Sequence, residues 1–298
     1  MKIGYFPGCS LHGTAIEYNE SLINVCAAFG YELVEIKDWN CCGATAAHSL
    51  NKLLSIALPA RTLALAEQQD YDEILVPCAA CYSRMLTAWH EIKTDEKLKK
   101  QIPELIEMEY HGTAKPMSIL DFISKYITPN LKEKVVNPVN KSVACYYGCL
   151  LVRPNKLVNF DRYEDPSAME EILTLIGAKP IVWAFKTECC GAGMSVPRTD
   201  IVGKLSGKIL EDASHRGAEA IIAACPMCQS NLDMRRKSID LYLGEKIDIP
   251  VLYITQAIGL AIGISGDKLG TGKHFVKTDQ FISQLNINKV QQNVTEAV

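Results

Sequence analysis

Two stretches decide the fold, Glu73-Ile74-Leu75-Val76-Pro77-Cys78-Ala79-Ala80-Cys81 and Ala220-Ile221-Ile222-Ala223-Ala224-Cys225-Pro226-Met227-Cys228. In each stretch a short apolar run, which is typical of a buried strand, leads directly into a Cys-x-x-Cys motif. The sequence around the two stretches also repeats. We therefore expect two copies of one structural unit, because self-similarity at this scale reflects a repeated architecture.

The repeat is carried by cysteines, which occur twelve times in the 298 residues. A single cysteine, a Cys-Cys-Gly motif and a Cys-x-x-Cys motif follow one another in the same order in each half. The first two motifs are separated by 31 residues in one half and 39 in the other, and the next two by 35 and 34. Ten cysteines thus form two sets of five. The first set is Cys9, Cys41, Cys42, Cys78 and Cys81, and the second set is Cys149, Cys189, Cys190, Cys225 and Cys228.

Strand and helix patterns alternate in both halves, which predicts an α/β fold of two pseudo-symmetric repeats, each with a parallel-sheet core, covering helices and a Cys-Cys-Gly motif. The predicted units are 1–135, 136–270 and a polar C-terminal tail, 271–298. The predicted strands are 2–6, 31–36, 73–76, 142–147, 180–183 and 220–223, and the predicted helices are 17–29, 49–69, 169–176 and 202–216. Ligands of parallel sheets bind beyond the carboxyl ends of the strands, where each set of cysteines should converge.

Composition and charge exclude several classes of protein. The net charge is -3 and no block of Lys and Arg occurs, so we expect no nucleic-acid partner. The uncharged segment 249–266 contains Pro250 and several glycines, which makes it a poor membrane span, and we expect it to be buried. No export signal is recognised, so a cytoplasmic location is expected. Cysteines in that reducing compartment indicate metal or redox chemistry rather than a disulfide framework.

The number of cysteines in each set bears on the metal. A structural zinc takes four ligands, so that five thiolates exceed one zinc site, and neighbouring cysteines in an extended segment point to opposite sides. A polynuclear iron–sulfur cluster is favoured, while zinc and metal-free thiol–disulfide chemistry remain open. Gly43 and Gly191 follow the cysteine pairs and are predicted to contact the cofactor through backbone N–H groups. Cys26 and Cys145 lie outside the repeat and are expected to be buried as small apolar residues.

Two copies of this cysteine pattern resemble the CCG domains of the family of heterodisulfide reductase B subunits of methanogenic archaea. The resemblance covers about Met1 to Asp233, and 249–269 is also similar. It implies a noncubane [4Fe-4S] cluster on each set of five cysteines, and it makes the same ten residues the catalytic centre. It also implies that the small-molecule substrate is the mixed disulfide of coenzyme M and coenzyme B, which is reduced to two thiols.

The resemblance further implies a complex. Electrons would come from a ferredoxin-like C subunit and a flavin- and iron–sulfur-containing A subunit, with hydrogenase or formate dehydrogenase in a larger assembly. The alternative function is an electron-transfer iron–sulfur subunit of a fumarate/succinate, glycolate or lactate oxidoreductase complex, without a substrate of its own. Because the implied disulfide is anionic, Arg153, Lys186 and Arg198 near the second set of cysteines are predicted to bind it.

Overall fold

Two four-stranded parallel sheets form the framework of the chain. A computed structural model describes residues 1–44, 47–158, 161–283 and 285. The strands of the first sheet are β1 Lys2–Tyr5, β2 Glu32–Glu35, β3 Glu73–Val76 and β4 Lys115–Ser118, and those of the second are β5 Ser142–Tyr146, β6 Lys179–Pro180, β7 Ala220–Ala223 and β8 Val251–Tyr253. The order is β2-β1-β3-β4 in one sheet and β6-β5-β7-β8 in the other. The predicted α/β fold with two equivalent repeats is confirmed.

Helices cover both sheets. They are α1 Gly8–His12, α2 Ile16–Ala28, α3 Ala47–Leu50, α4 Lys52–Gln68, α5 Ala79–Thr94, α6 Glu96–Ile106, α7 Ile119–Phe122, α8 Thr128–Lys134, α9 Ala168–Leu175, α10 Thr199–His215, α11 Pro226–Met234, α12 Arg236–Leu243, α13 Ile254–Ala261 and α14 Asp279–Ser283. A π-helical turn, Ile123–Ile127, continues α7. No described helix combines the length and the apolar character needed to cross a membrane.

The central strands β3 and β7 are apolar because both faces of the sheet are covered there. All four residues of β7 are buried, as are Ile74, Leu75 and Val76 of β3. Parallel strands with helices on both faces have this composition. Two helices end near their predicted C-termini, and Gly30 and Gly177, two residues after the last residues of α2 and α9, adopt φ angles of +80° and +78°. Such left-handed residues end helices, and glycine adopts them without strain.

The fourth strand of each sheet differs from the prediction. Neither β4 nor β8 was expected, because β4 contains Pro116 and β8 has only three residues. Both lie at a sheet edge, where a proline without an N–H group is tolerated. The predicted strand 180–183 is shortened to Lys179–Pro180. Beyond it the chain turns, because the indole N–H of Trp183 donates to the Cys145 carbonyl, 3.1 Å away, and buries the ring.

The two halves pack against each other through α2 and α13. The rings of Tyr18 and Tyr253 stack in parallel with 4.2 Å between their centroids. The Tyr18 hydroxyl donates to the carbonyl of Ala224 at 3.2 Å, and the hydroxyls of Ser21 and Thr255 lie 2.6 Å apart. All these groups are buried, so this contact fixes how the two cysteine sets face each other.

The beginning of the predicted polar tail packs into the second half. His274 has a fully buried side chain, and its ring nitrogens lie 2.8 Å from the amide nitrogens of Gln229 and Gln256. Phe281 and Leu285 are also buried. These three side chains are therefore part of the packed structure, whereas the polar sequence around them predicted an exposed tail. Residues 286–298 lie outside the described part of the chain, and the division at 135/136, within the connection from α8 to β5, stays a prediction.

Asp233 holds this C-terminal segment in place, and its loss should destabilise the fold. Its buried carboxylate accepts N–H bonds from Phe275 and Val276 at 2.8 and 3.0 Å and faces His274. Asp233→Ala would leave these donors unpaired, so we expect a loss of about 2 to 4 kcal/mol in unfolding free energy, measured as a lower Tm. The exposed variant Glu96→Ala is the control, with a change within about 0.5 kcal/mol. Equal melting of both variants would contradict this role.

The same carboxylate gives a pH dependence. Burial alone would raise the pKa of Asp233, but the nearby His274 ring and the hydrogen bonds from the two backbone N–H groups outweigh it and hold the pKa below its usual value. The stabilisation is therefore complete above the ordinary carboxyl pKa and is lost as the pH falls through the lowered one.

Candidate metal centres

Each set of cysteines lies beyond the carboxyl ends of the first three strands of its half. In the first half the loop after β1 leads to Cys9 in α1, the loop after β2 carries Cys41 and Cys42, and β3 leads to Cys78 and Cys81 at the start of α5. The second half repeats this arrangement after β5, β6 and β7. The structure therefore brings each predicted set together, as expected from the parallel topology.

The thiols within each set contact one another in matching pairs. The Sγ atoms of Cys42 and Cys81 lie 3.0 Å apart, and those of the equivalent Cys190 and Cys228 lie 3.7 Å apart. The thiol of Cys41 interacts with Cys9 as that of Cys189 does with Cys149. The two sets also meet, because the thiols of Cys78 and Cys225 interact across the two halves. All twelve cysteines are free thiols.

Burial divides each set into a closed inner part and an open outer part. All four cysteines of the two Cys-x-x-Cys motifs are buried, as are Cys42 and Cys190, and these six form the inner part. Cys9, Cys41 and Cys189 are exposed and Cys149 is half-buried. Each centre therefore has an apolar wall on one side and an opening on the other, which suits a reaction with a small molecule.

Glycines allow the backbone to approach the sulfur atoms. The N–H group of Gly43 donates to Cys41 Sγ at 3.5 Å, and that of Gly191 donates to Cys189 Sγ at 3.3 Å. Both glycines have φ angles near the left-handed region, +72° and +80°, which favours glycine there. These contacts agree with the prediction that Gly43 and Gly191 face a cofactor, although the cofactor contact itself stays a prediction.

In two of the thiol pairs, the hydrogen bond between the cysteines favours the thiolate form of one of them. The hydrogen bond from Cys149 lowers the pKa of Cys189 to about 6, against the effect of burial and with help from the Gly191 N–H. The hydrogen bond from Cys81 likewise lowers the pKa of Cys42 to about 7. Thiolates are the form that binds metals, so these pairs are prepared for soft metal ions.

The donor set fits iron–sulfur chemistry better than a single ion. Among the described residues, no group of three or more His, Cys, Asp or Glu side chains has the arrangement of a ligand set for one metal ion. The donors that are present are all sulfur. The 3.7 Å between Cys190 and Cys228 is close to the separation of about 3.8 Å between two thiolates on one tetrahedral metal with bonds of about 2.3 Å, whereas the 3.0 Å between Cys42 and Cys81 is shorter. The number of thiols, five in each set with a backbone N–H donor beside them, suits a cluster better than one four-coordinate zinc.

A cavity of about 560 Å³ lies between the halves, beside Cys9. The first half contributes Cys9, Ser10 and Thr14, and the second half contributes the segment after the second Cys-Cys-Gly motif and one face of α11. Most of its second-half wall is apolar. The second-half lining includes Ser195, Val196, Pro197, Met227, Ser230, Asn231, Met234 and Arg235. Asn231 joins the cavity to the second cysteine set, since its amide donates to the Cys190 carbonyl at 3.0 Å.

The three cations predicted to bind substrate lie elsewhere. Lys186 forms ion pairs with Asp165 and Glu170 at 2.8 and 2.9 Å. The guanidinium of Arg198 binds both oxygens of Asp200, and Arg153 is exposed in the loop after Cys149. None of the three lines the cavity, and their substrate role stays a prediction.

Arg235 was missed by the sequence reasoning. It follows Cys228 by seven residues, which is two helical turns, so that spacing alone could have placed it on the face of α11 that carries the cysteine.

The comparisons with known proteins agree with the cysteine pattern. The family model for the CCG cysteine-rich domain matches residues 3–86 and 143–233. The chain is 32% identical to the 8-methylmenaquinol:fumarate reductase membrane anchor subunit of Wolinella succinogenes, over 92% of this chain and 97% of that protein. It is 29% identical to the B subunit of the ferredoxin/F(420)H(2)-dependent CoB-CoM heterodisulfide reductase of Methanosarcina acetivorans, over 95% of this chain and 97% of the relative.

A third relative and a solved structure extend these similarities. The B subunit of the ferredoxin:CoB-CoM heterodisulfide reductase of Methanosarcina mazei is 31% identical, over 83% of this chain and 84% of its own. A crystal structure of a hypothetical protein from Helicobacter pylori superposes on 93% of this chain with a TM-score of 0.74, and this chain spans 52% of that one. At 12% identity this last likeness shows the fold alone.

Proposed function

This chain belongs to the family of CCG cysteine-rich domain proteins, and we propose that it is the catalytic iron–sulfur subunit of a disulfide reductase that acts on the coenzyme M–coenzyme B heterodisulfide. The observation that carries this proposal is the cavity between the halves, which is lined by Cys9 of the first set and by Asn231, whose amide donates to the Cys190 carbonyl of the second set. A subunit that only passes electrons has no need of a space for a small molecule. Two relatives of this chain are named as B subunits of CoB-CoM heterodisulfide reductases, which also supports the proposal.

The ten cysteines of the two sets would hold the cofactors, which we propose to be two noncubane [4Fe-4S] clusters. Such clusters would supply single electrons beside the bound disulfide. The overall reaction takes one disulfide, two electrons and two protons and gives two thiols. The electrons come from a ferredoxin-like iron–sulfur subunit, and the protons come from water at the open side of the cavity.

The chain itself contributes shape, dryness and backbone dipoles. The buried inner cysteines and the apolar wall of α11 keep water from the closed side of each centre. The N–H groups of Gly43 and Gly191 point at thiol sulfurs and stabilise negative charge there. The stacked pair Tyr18 and Tyr253 fixes the two halves, and this holds the cavity walls at a constant distance from each other.

We place the chain in a cytoplasmic complex. Its proposed partners are a flavin- and iron–sulfur-containing A subunit and a ferredoxin-like C subunit, with hydrogenase or formate dehydrogenase as the electron source. The relatives named as B subunits are by that name parts of multi-subunit assemblies.

One observation favours a second function. The 32% identity to a quinol:fumarate reductase membrane anchor subunit extends over 97% of that protein. In that case the chain would pass electrons between other subunits of a fumarate reductase complex and would have no substrate of its own.

Filling the cavity should separate the two functions. Ser230 is a half-buried residue of the cavity wall on α11, so Ser230→Trp would block the space without changing a cysteine. With reduced methyl viologen as electron donor, we expect wild-type protein to reduce the heterodisulfide and the variant to do so about tenfold or more slowly, since the substrate loses its binding site. Iron content and cluster absorption should be equal in both proteins.

The rate of electron transfer from viologen to a soluble dye is the control, and it should be the same for both proteins. A wild-type chain with full iron content that reduces dyes but no disulfide would contradict the disulfide reductase and favour the electron-transfer subunit.

A further inference from the structure

Arg235 is the one charged side chain among the described residues that line the cavity. It lies directly after α11 and is partly buried. Its guanidinium nitrogens Nε and Nη2 lie 3.4 and 3.3 Å from the hydroxyl of Ser195, which is also in the cavity wall. The serine therefore holds the guanidinium toward the cavity.

No carboxylate neutralises Arg235 within the described part of the chain. Two other cations near the second cysteine set do have acidic partners: Lys186 pairs with Asp165 and Glu170, and Arg198 pairs with Asp200. The described lining of the cavity contains no Asp or Glu either. A half-buried guanidinium without an anion is a strong site for one, because its planar N–H groups match the oxygens of a carboxylate, sulfonate or phosphate.

We propose that Arg235 is the specificity-determining residue of this cavity and binds an anionic group at the end of one arm of the disulfide substrate. The proposal rests on the disulfide reductase function proposed above. It makes recognition one-sided, since the described residues of the opposite wall, Cys9, Ser10 and Thr14, offer thiol and hydroxyl groups but no second cation. The enzyme would thus require a charge on only one arm.

The cavity also defines the arm. Val196, Pro197, Met227 and Met234 form an apolar wall beside Arg235, which suits a hydrocarbon chain between the disulfide and the anion. Cys228 and Arg235 are separated by seven residues along α11, a rise of at most about 10 Å. An arm of up to this length can place its sulfur near the cysteines while its terminal anion reaches the guanidinium.

The test compares a charged substrate with a neutral one of the same length. The probes are the mixed disulfide of 2-mercaptoethanol with 6-mercaptohexanoic acid and the corresponding mixed disulfide with 6-mercaptohexanamide. For the acid we expect Arg235→Gln to lower kcat/KM about tenfold or more, the effect of one lost charge-assisted contact, with the amide changed less than about twofold. Arg235→Lys should restore part of the loss. Arg216→Gln, which removes an exposed cation paired with Asp212, is the matched control and should change neither substrate.

A binding measurement keeps the inference independent of turnover. Thioether analogues of the two probes, in which a methylene replaces one sulfur, are titrated calorimetrically into the same proteins. The acid analogue should bind about tenfold more weakly to Arg235→Gln than to wild type, and the amide analogue equally to both.

Several results would overturn the assignment of Arg235. One is an equal fall in kcat/KM for the acid and the amide in Arg235→Gln, and another is no fall for either probe. The third is a fall in kcat/KM for the acid alone in Arg198→Gln and not in Arg235→Gln. Absence of all disulfide reduction in wild-type protein, with selective binding of the acid analogue retained, would contradict the proposed function and leave the anion site supported.

Discussion

Replacing Cys78 or Cys190 with alanine should lower the iron content of anaerobically purified protein from about eight to about four atoms per chain, because each residue belongs to one cysteine set and each set would hold one cluster. Both thiols are buried and contact their own set or its counterpart. An alanine there removes a ligand that water cannot replace on the closed side. Disulfide reduction should fall below about one hundredth of the wild-type rate, since groups that act as a unit lose nearly all function when one member is removed.

Cys26→Ala and Cys145→Ala are the matched controls for these variants. Both residues are fully buried, as predicted from their positions outside the repeat. Burial raises the pKa of Cys26 to about 12 and raises that of Cys145, so both remain neutral thiols at physiological pH. Iron analysis and the visible spectrum of these two variants should match wild type. Loss of iron in Cys145→Ala would show that the second set contains Cys145 in place of Cys149.

A methyl group at Gly148 should be almost as damaging to the second set as the loss of a ligand. Gly148 has a φ angle of +68°, and a Cβ atom there would lie 2.7 Å from Cys228 Sγ. The left-handed conformation costs about 1 to 2 kcal/mol for an alanine, and the overlap pushes the Cys228 sulfur out of place. We expect Gly148→Ala to retain only about four irons per chain and to lose disulfide reduction, as measured by iron analysis and thiol release.

Gly217→Ala separates the two causes. Gly217 has a similar φ angle of +74°, and a Cβ atom there would meet no atom within 4 Å. This variant carries the same backbone strain without contact to a sulfur, so it should melt slightly earlier and keep its full iron content. If both variants lost iron to the same extent, the contact with Cys228 would not be the reason.

The repeat made most of the architecture predictable from the sequence. Strands that lead into Cys78 and Cys225 could be recognised because their apolar runs end at fixed motifs, and the parallel sheets followed from alternation of strand and helix. The edge strands β4 and β8 could not be recognised. A strand that contains Pro116 violates the propensity of central strands, and only its place at the sheet edge, a tertiary property, makes it acceptable.

The candidate site was predictable to the extent that it depends on a single half. Cysteines of one set converge because they follow neighbouring parallel strands, and the positions of the cysteines relative to these strands can be read from the sequence. The opposition of Cys9 and Arg235 across a cavity depends on how the halves dock, and this is decided by contacts such as those of Tyr18 with Tyr253. Ion pairs such as Lys186 with Glu170 are likewise formed by residues that only the fold brings together.

The packing of α2 on α13 has a consequence for synthesis of the chain. Ser21 and Thr255, which touch across this contact, are 234 positions apart in the sequence, and Lys273 reaches back to Glu20. While the protein is being made, the first half can close its own sheet, but the face of α2 stays uncovered until α13 has left the ribosome. Contacts of such long range form slowly. The two cysteine sets, which meet at Cys78 and Cys225, are therefore joined only after α13 has been released.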